Sequence, residues 1–366
     1  MTSRERVMAA VARRAPDRVP IDFGGTYATG MAADIVAKLR GALGLAAAAP
    51  VRVIDGYQML GEIDEELRRA LGVDTVSLQP PSGWFGYPNR DWKPWRLFDG
   101  TSVLVPGLFN TEPDERGDIL QYPQGDRTAP ACARMPQGGF YFDSIIRQPP
   151  FDEDALDPRD NLEEYGPVSE ETLEYYRREA ARLRRESDCA IIASFGGTGF
   201  GGLAGIPGMT LRHPKGIRDI EEWYVSLHTR RDYVYDLFAG QCEIALANLE
   251  LFHQAVGGNV DIVFITGTDF GGQQGPLFST AMYRELFLPF HARVNGWVHR
   301  ETPWKTFIHS CGAVEPLIDS FIEAGFDILN PLQSSAAGME PAHLKRRYGD
   351  RIALWGGGVD TQRTLP

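Results

Sequence analysis

The chain has 366 residues, 43% of them hydrophobic and 23% charged, enough to bury one large folded core. Its formal net charge of −12 excludes the basic face that an electrostatic nucleic-acid binder needs. Residues 1–20 lack the apolar segment of a signal peptide, and no apolar run approaches the ~20 residues of a membrane span. Cys132, Cys189, Cys242 and Cys311 form no disulfide framework, so a cytoplasmic protein without membrane or nucleic-acid partners is expected.

In chain order, residues 4–14 place Val7, Met8 and Val11 at helical spacing. Residues 19–23 read as a buried strand ending at Gly24 and Gly25. Helices are expected over about 32–43 and 63–71, the second closed by Gly72, and residues 73–79 alternate as another strand. From 80 to 150 the pattern changes. Trp84, Tyr87, Trp92, Trp95 and Phe98 stand among prolines and glycines, and Asp99-Gly100 marks a hairpin. Short strands are expected at 118–122 and 139–142. A stretch this rich in loops, with no amphipathic helix, predicts a hairpin insertion without a core of its own.

Regular alternation then resumes. Residues 170–186 form a charged helix whose arginines alternate with glutamates, a solvated face rather than a binding patch. A strand at 190–195 leads into the glycine-rich loop 196–202, which lacks the lysine of a phosphate-binding loop and reads as a lid or a close-packed turn. Two helices over 219–255, a strand at 260–266 and a helix capped by Ser279 follow. Strands at 306–310, 326–330 and 352–355 are separated by helices at about 314–324 and 341–348. Seven strands in βα alternation predict an α/β fold, best met by an eightfold (β/α) barrel, with a doubly wound sheet as the alternative. Residues 1–366 are expected to be one such domain with an insertion at about 80–150. No eighth strand precedes Pro366, so a fragment lacking the final βα unit is expected.

In a barrel the chemistry sits at the C-terminal strand ends. Asp22, Ser194, Asp269, His309, Cys311, Asn330, Gln333 and Asp360 collect there. In His309-Ser310-Cys311 the imidazole and thiol, two residues apart, project to one face, and both are good zinc ligands. The alternative is a hydrogen-bonded core histidine beside a buried cysteine. Catalytic zinc takes three protein ligands. Asp269 or Asp360 is a candidate third, or a residue of the missing final βα unit, whereas Cys132, Cys189 and Cys242 fall in the insertion, at the wrong strand end and inside a helix. Asp269 also suits substrate orientation or general-base work, or simply fixing its loop. The other six histidines read as structural. The aromatics of the insertion are expected to pack locally rather than to face a ligand.

Beyond these patterns, particular stretches resemble the uroporphyrinogen decarboxylase superfamily. They are the runs beginning at His309, 324–331, Gln333, Gly338-Met339, 348–350 and 355–362, together with 269–277, which includes Gln273, and the opening 4–20. The resemblance implies the (β/α)8 barrel. True decarboxylases carry arginines after the first strand to hold a polycarboxylate, whereas residues 22–30 here hold none. The sequence is closer to the corrinoid-dependent methyltransferase branch, whose zinc site contains His-x-Cys. That implies zinc on His309 and Cys311, with Asp269 catalytic beside them and Asp22, Gln273, Gln333 and Asp360 contacting substrate. The family's third ligand, a cysteine of the final unit, has no counterpart. The function implied is transfer of a methyl group from methylcobalamin or a corrinoid protein to a small thiol. Uroporphyrinogen decarboxylation and non-catalytic corrinoid or tetrapyrrole binding are the alternatives.

Overall fold

The computed structural model describes residues 1–45, 50–360 and 362. At its centre lies a wholly parallel sheet of β1 (Thr75–Leu78), β2 (Ala190–Ala193), β3 (Ile262–Thr266), β4 (Lys305–His309), β5 (Ile328–Asn330) and β6 (Ala353–Leu354), side by side in chain order. These strands form where the chain runs apolar on both faces. Every residue of β2 and β3 is buried, as in a parallel sheet covered on both sides. One face, with Ile191, Ala193, Val263, Ile265, Ile308 and Leu329, is covered by the connecting helices, among them Glu170–Glu186, Arg231–Val256 and Leu288–Glu301. The other face, with Ile192, Ile262, Phe264, Phe307 and Ile328, is closed by Val7 and Val11 of the helix Ser3–Val11 and by Tyr27 and Trp355.

The fold is therefore mixed α/β. Its strand order never reverses, as a doubly wound order would. Among the described residues β1 and β6 remain the sheet's two edges, and no ladder closes them into a barrel. The expected first strand at 19–23 does not form. Pro20 has no N–H to donate, and Asp74 takes the place of a partner strand for Ile21. The Ile21 N–H donates to the Asp74 carboxylate at 2.9 Å, and its carbonyl accepts from the Asp74 N–H at 2.8 Å. Asp22 then touches both sheet edges. It accepts from Thr75 Oγ1 of β1 at 2.6 Å and from the indole of Trp355, just past β6, at 2.9 Å.

The helices follow the sequence expectations closely. Gly72, at φ +64°, closes Glu65–Leu71. Ser279 caps Thr280–Leu286 through the Met282 N–H, and the helix breaks at Phe287, just before Pro289. No described helix is long and apolar enough to cross a membrane.

The 80–150 stretch differs from expectation in two ways. Residues 139–142 are an irregular connection, with strands on either side at Ala133–Met135 and Asp143–Ser144. The hairpin Lys93–Arg96/Ser102–Val105 also joins a strand that sequence reading overlooked, Val51–Asp55, which pairs parallel to Ser102–Val105 and antiparallel to Leu60–Gly61. With that strand and the helix Ala33–Ala42, the hairpins do build an apolar core, in which Val36, Val53, Val103, Val105 and Phe109 are fully buried. Phe109 packs between Trp95 and Phe142, at ring distances of 5.3 and 5.7 Å.

Candidate metal centre

Three side chains meet at the C-terminal ends of neighbouring strands. His309 is the last residue of β4, Cys311 lies two residues on, and Asp269 lies three past the end of β3. His309 Nε2 is 3.4 Å from Cys311 Sγ and 3.8 Å from Asp269 Oδ1, and the three donor atoms all lie within 4.8 Å of one another. A tetrahedral zinc ion separates its nitrogen, oxygen and sulfur ligands by ~3.5 Å. The set therefore fits a single ion with small side-chain adjustments. Asp269 is the third donor, and Asp360 is not part of this group.

The geometry is fixed from behind. His309 Nδ1 lies 2.6 Å from Asn330 Oδ1, while Asn330 Nδ2 donates to the Trp355 carbonyl at 3.2 Å. An amide oxygen only accepts, so Nδ1 carries the proton and the Nε2 lone pair is left toward Cys311 and Asp269. Ser310, between His309 and Cys311, points the other way. Its buried hydroxyl accepts from the Phe270 N–H at 2.9 Å and so holds the Asp269 loop. Asp269 accepts from the Cys311 N–H at 2.7 Å, and Gln333 from the Gly312 N–H at 2.8 Å. Gly312, at φ +86°, lets the two loops touch; a Cβ there would lie 2.3 Å from the Gly271 carbonyl oxygen.

Burial pushes the Cys311 thiol up to about 12, and the Asp269 charge adds to the shift. Burial likewise holds the His309 imidazole below its ordinary value. Without a cation, the site thus holds a neutral thiol and a neutral imidazole near pH 7. A divalent ion reverses that preference for the thiol.

Asp269 and His309 open into a cavity of about 490 Å³. The glycine-rich loop 196–202 forms one side, close-packed where Gly201 meets Phe238, Phe287 and Trp223. Tyr57, Gln58 and Trp84 of the second core form another. The lining's one lysine or arginine is Arg218, almost wholly buried and paired with Glu164 at 2.8 and 3.0 Å. Ser194 also lines the cavity, and its buried hydroxyl has no partner among the described residues.

The remaining predicted residues lie elsewhere. Asp22 is occupied in joining the sheet edges. The exposed Gln273 lends its carbonyl to the Ala337 N–H. Gln333 supports Gly312, and Asp360 accepts from the Gln362 N–H at 2.9 Å. Cys132, Cys189 and Cys242 are buried, away from the cluster. Sequence reading missed Tyr57, Gln58 and Trp84 as cavity residues. Trp84 does not confine itself to local hairpin packing, and without the strand Val51–Asp55 nothing placed it near the sheet's mouth.

No family model matches the sequence, and no curated protein does. Among solved structures the chain is similar to a methyltransferase from Methanosarcina mazei, with a TM-score of 0.46 and 15% identity, the match covering 100% of this chain and 95% of that one.

Proposed function

We propose that this protein is a zinc-dependent methyltransferase of the uroporphyrinogen decarboxylase superfamily type, moving a methyl group from a corrinoid to a small thiol. The observation that carries the reading is the gathering of Asp269, His309 and Cys311, three zinc-type donors, beside a 490 Å³ cavity. Bound zinc would lower the pKa of an acceptor thiol, so that its thiolate forms at neutral pH.

His309 and Cys311 would hold the ion together with Asp269, which leaves a fourth position open toward the cavity. Asn330 keeps the His309 lone pair aimed at that ion. The cavity walls orient the acceptor and keep out water, the protein's main contribution when a metal and a methyl donor carry the reactivity. The methyl donor would be free methylcobalamin or a separate corrinoid protein. A polycarboxylate substrate is poorly served, because the one arginine in the lining is already paired with Glu164.

Zinc per chain, measured in anaerobically purified protein, tests the reading. Near-stoichiometric zinc that is lost in His309→Ala and Cys311→Ala is expected, followed by methylcobalamin-to-thiol transfer in the wild type. A wild-type protein that binds no zinc overturns it.

A further inference from the structure

Tyr27, Tyr57 and Trp84 line the same cavity as Asp269 and His309, and a buried carboxylate lies beside them. Tyr27 and Trp84 stand at 88° with centroids 6.0 Å apart, and Tyr57 lies 6.2 Å from Trp84. All three rings line the same cavity, so a cation bound in it lies near aromatic surface, where cation–π attraction reaches ~6 Å from a ring centroid.

That carboxylate is Asp55, only 7% exposed. Its carboxylate accepts from the Tyr57 and Gln58 N–H groups at 2.9 and 3.0 Å and from Gln58 Nε2 at 3.3 Å. Burial raises the Asp55 carboxyl above its ordinary value, and the three N–H donors around it pull the other way, toward the ionised form. Among the described residues it has no cationic partner. The Tyr27 phenol, held above its ordinary pKa chiefly by burial, also feels the Asp55 carboxylate. Arg218, the arginine among the described residues of the lining, is neutralised by Glu164.

We propose that Tyr27, Tyr57 and Trp84 form a subsite for an organic ammonium group. The thiol acceptor is then an amine-bearing one, an identification that rests on the methyltransferase reading above; the ammonium subsite itself does not.

The probes are choline and 3,3-dimethyl-1-butanol, which share a shape and differ in charge. Calorimetric titration of the wild-type protein is expected to show choline binding roughly ten-fold tighter than the alcohol. That preference should disappear in Trp84→Leu, persist in part in Trp84→Phe, and shrink in Asp55→Asn, with circular dichroism confirming that each variant is folded. Equal affinities for the two probes, or no choline binding at millimolar concentration, overturn the proposal in the wild-type protein alone, whatever the variants do. Neither probe carries a thiol, so the preference should survive in His309→Ala. Failure of the zinc reading and failure of this one are thereby separately visible.

Discussion

At His309 a single amide decides which ring nitrogen faces the cavity. Removing it in Asn330→Ala frees the ring to rotate and leaves Nδ1–H without its acceptor. Zinc affinity is expected to fall about 10–100-fold with the fold retained, measured by competition with a chromogenic chelator. Unchanged affinity would mean that packing alone holds the ring. Gly312 is the other sensitive position. In Gly312→Ala the new methyl meets the Gly271 carbonyl at 2.3 Å in a backbone conformation that L residues disfavour. A loss of stability of about 3 kcal/mol is expected, together with weakened zinc retention, because Gly271 and Gly312 carry the two loops that bring Asp269 to Cys311. Urea unfolding and metal analysis check both effects. The His-x-Cys pair was legible in the sequence because residue types and strand spacing together point to a metal. Asp269 was legible only as a candidate, since its approach to Cys311 depends on a loop contact with no local signature.

At the level of elements, the N-terminal helix is tied to the sheet by Asp74, a fully buried carboxylate. Arg6 reaches it at 2.6 Å and Arg18 at 2.7 and 2.9 Å, in addition to the Ile21 N–H. Burial pushes this carboxyl's pKa up, but the hydrogen bonds from Arg18, Ile21 and Arg6 outweigh it, and the folded value lies below the ordinary one. A depressed folded pKa gives stability that is complete above the unfolded value of about 4 and is lost as pH falls through the folded value. Asp74→Asn is therefore expected to cost about 3 kcal/mol at pH 7. Its stability should also decline less steeply than the wild type's below pH 4, as read from urea midpoints against pH. Parallel profiles would show that Asp74 contributes nothing to acid sensitivity. The same region shows why some elements were readable and others not. β2, β3 and β4 announce themselves as continuous apolar runs. Residues 19–23 look alike, but Pro20 has no N–H and the Ile21 N–H goes to the Asp74 carboxylate instead of a ladder. Val51–Asp55 alternates buried and partly exposed positions over only five residues and follows an alanine-rich run, so its strand character shows only once its partners are known.

Across the whole molecule, separate apolar clusters share one cavity. Asp269, His309 and Cys311 come entirely from the parallel sheet's strand ends, whereas Tyr57 and Trp84 come from the second core. A lesion deep in the second core should therefore loosen the aromatic wall and spare the metal-type cluster. Phe109 is fully buried there, against Trp95 and Phe142. Phe109→Ala leaves a cavity that costs about 3–5 kcal/mol, felt first by the strands that pack on it. Hydrogen exchange followed by mass spectrometry should show lost protection in peptides covering Val51–Asp55 and Ser102–Val105, with Ile262–Thr266 and Lys305–His309 unchanged. Zinc content should stay at the wild-type level. If the strands of both cores lose protection together, they open as one cooperative unit. The cavity wall would then be as rigid as the sheet that carries the metal-type cluster, and the aromatic side could not adjust to a ligand independently of it.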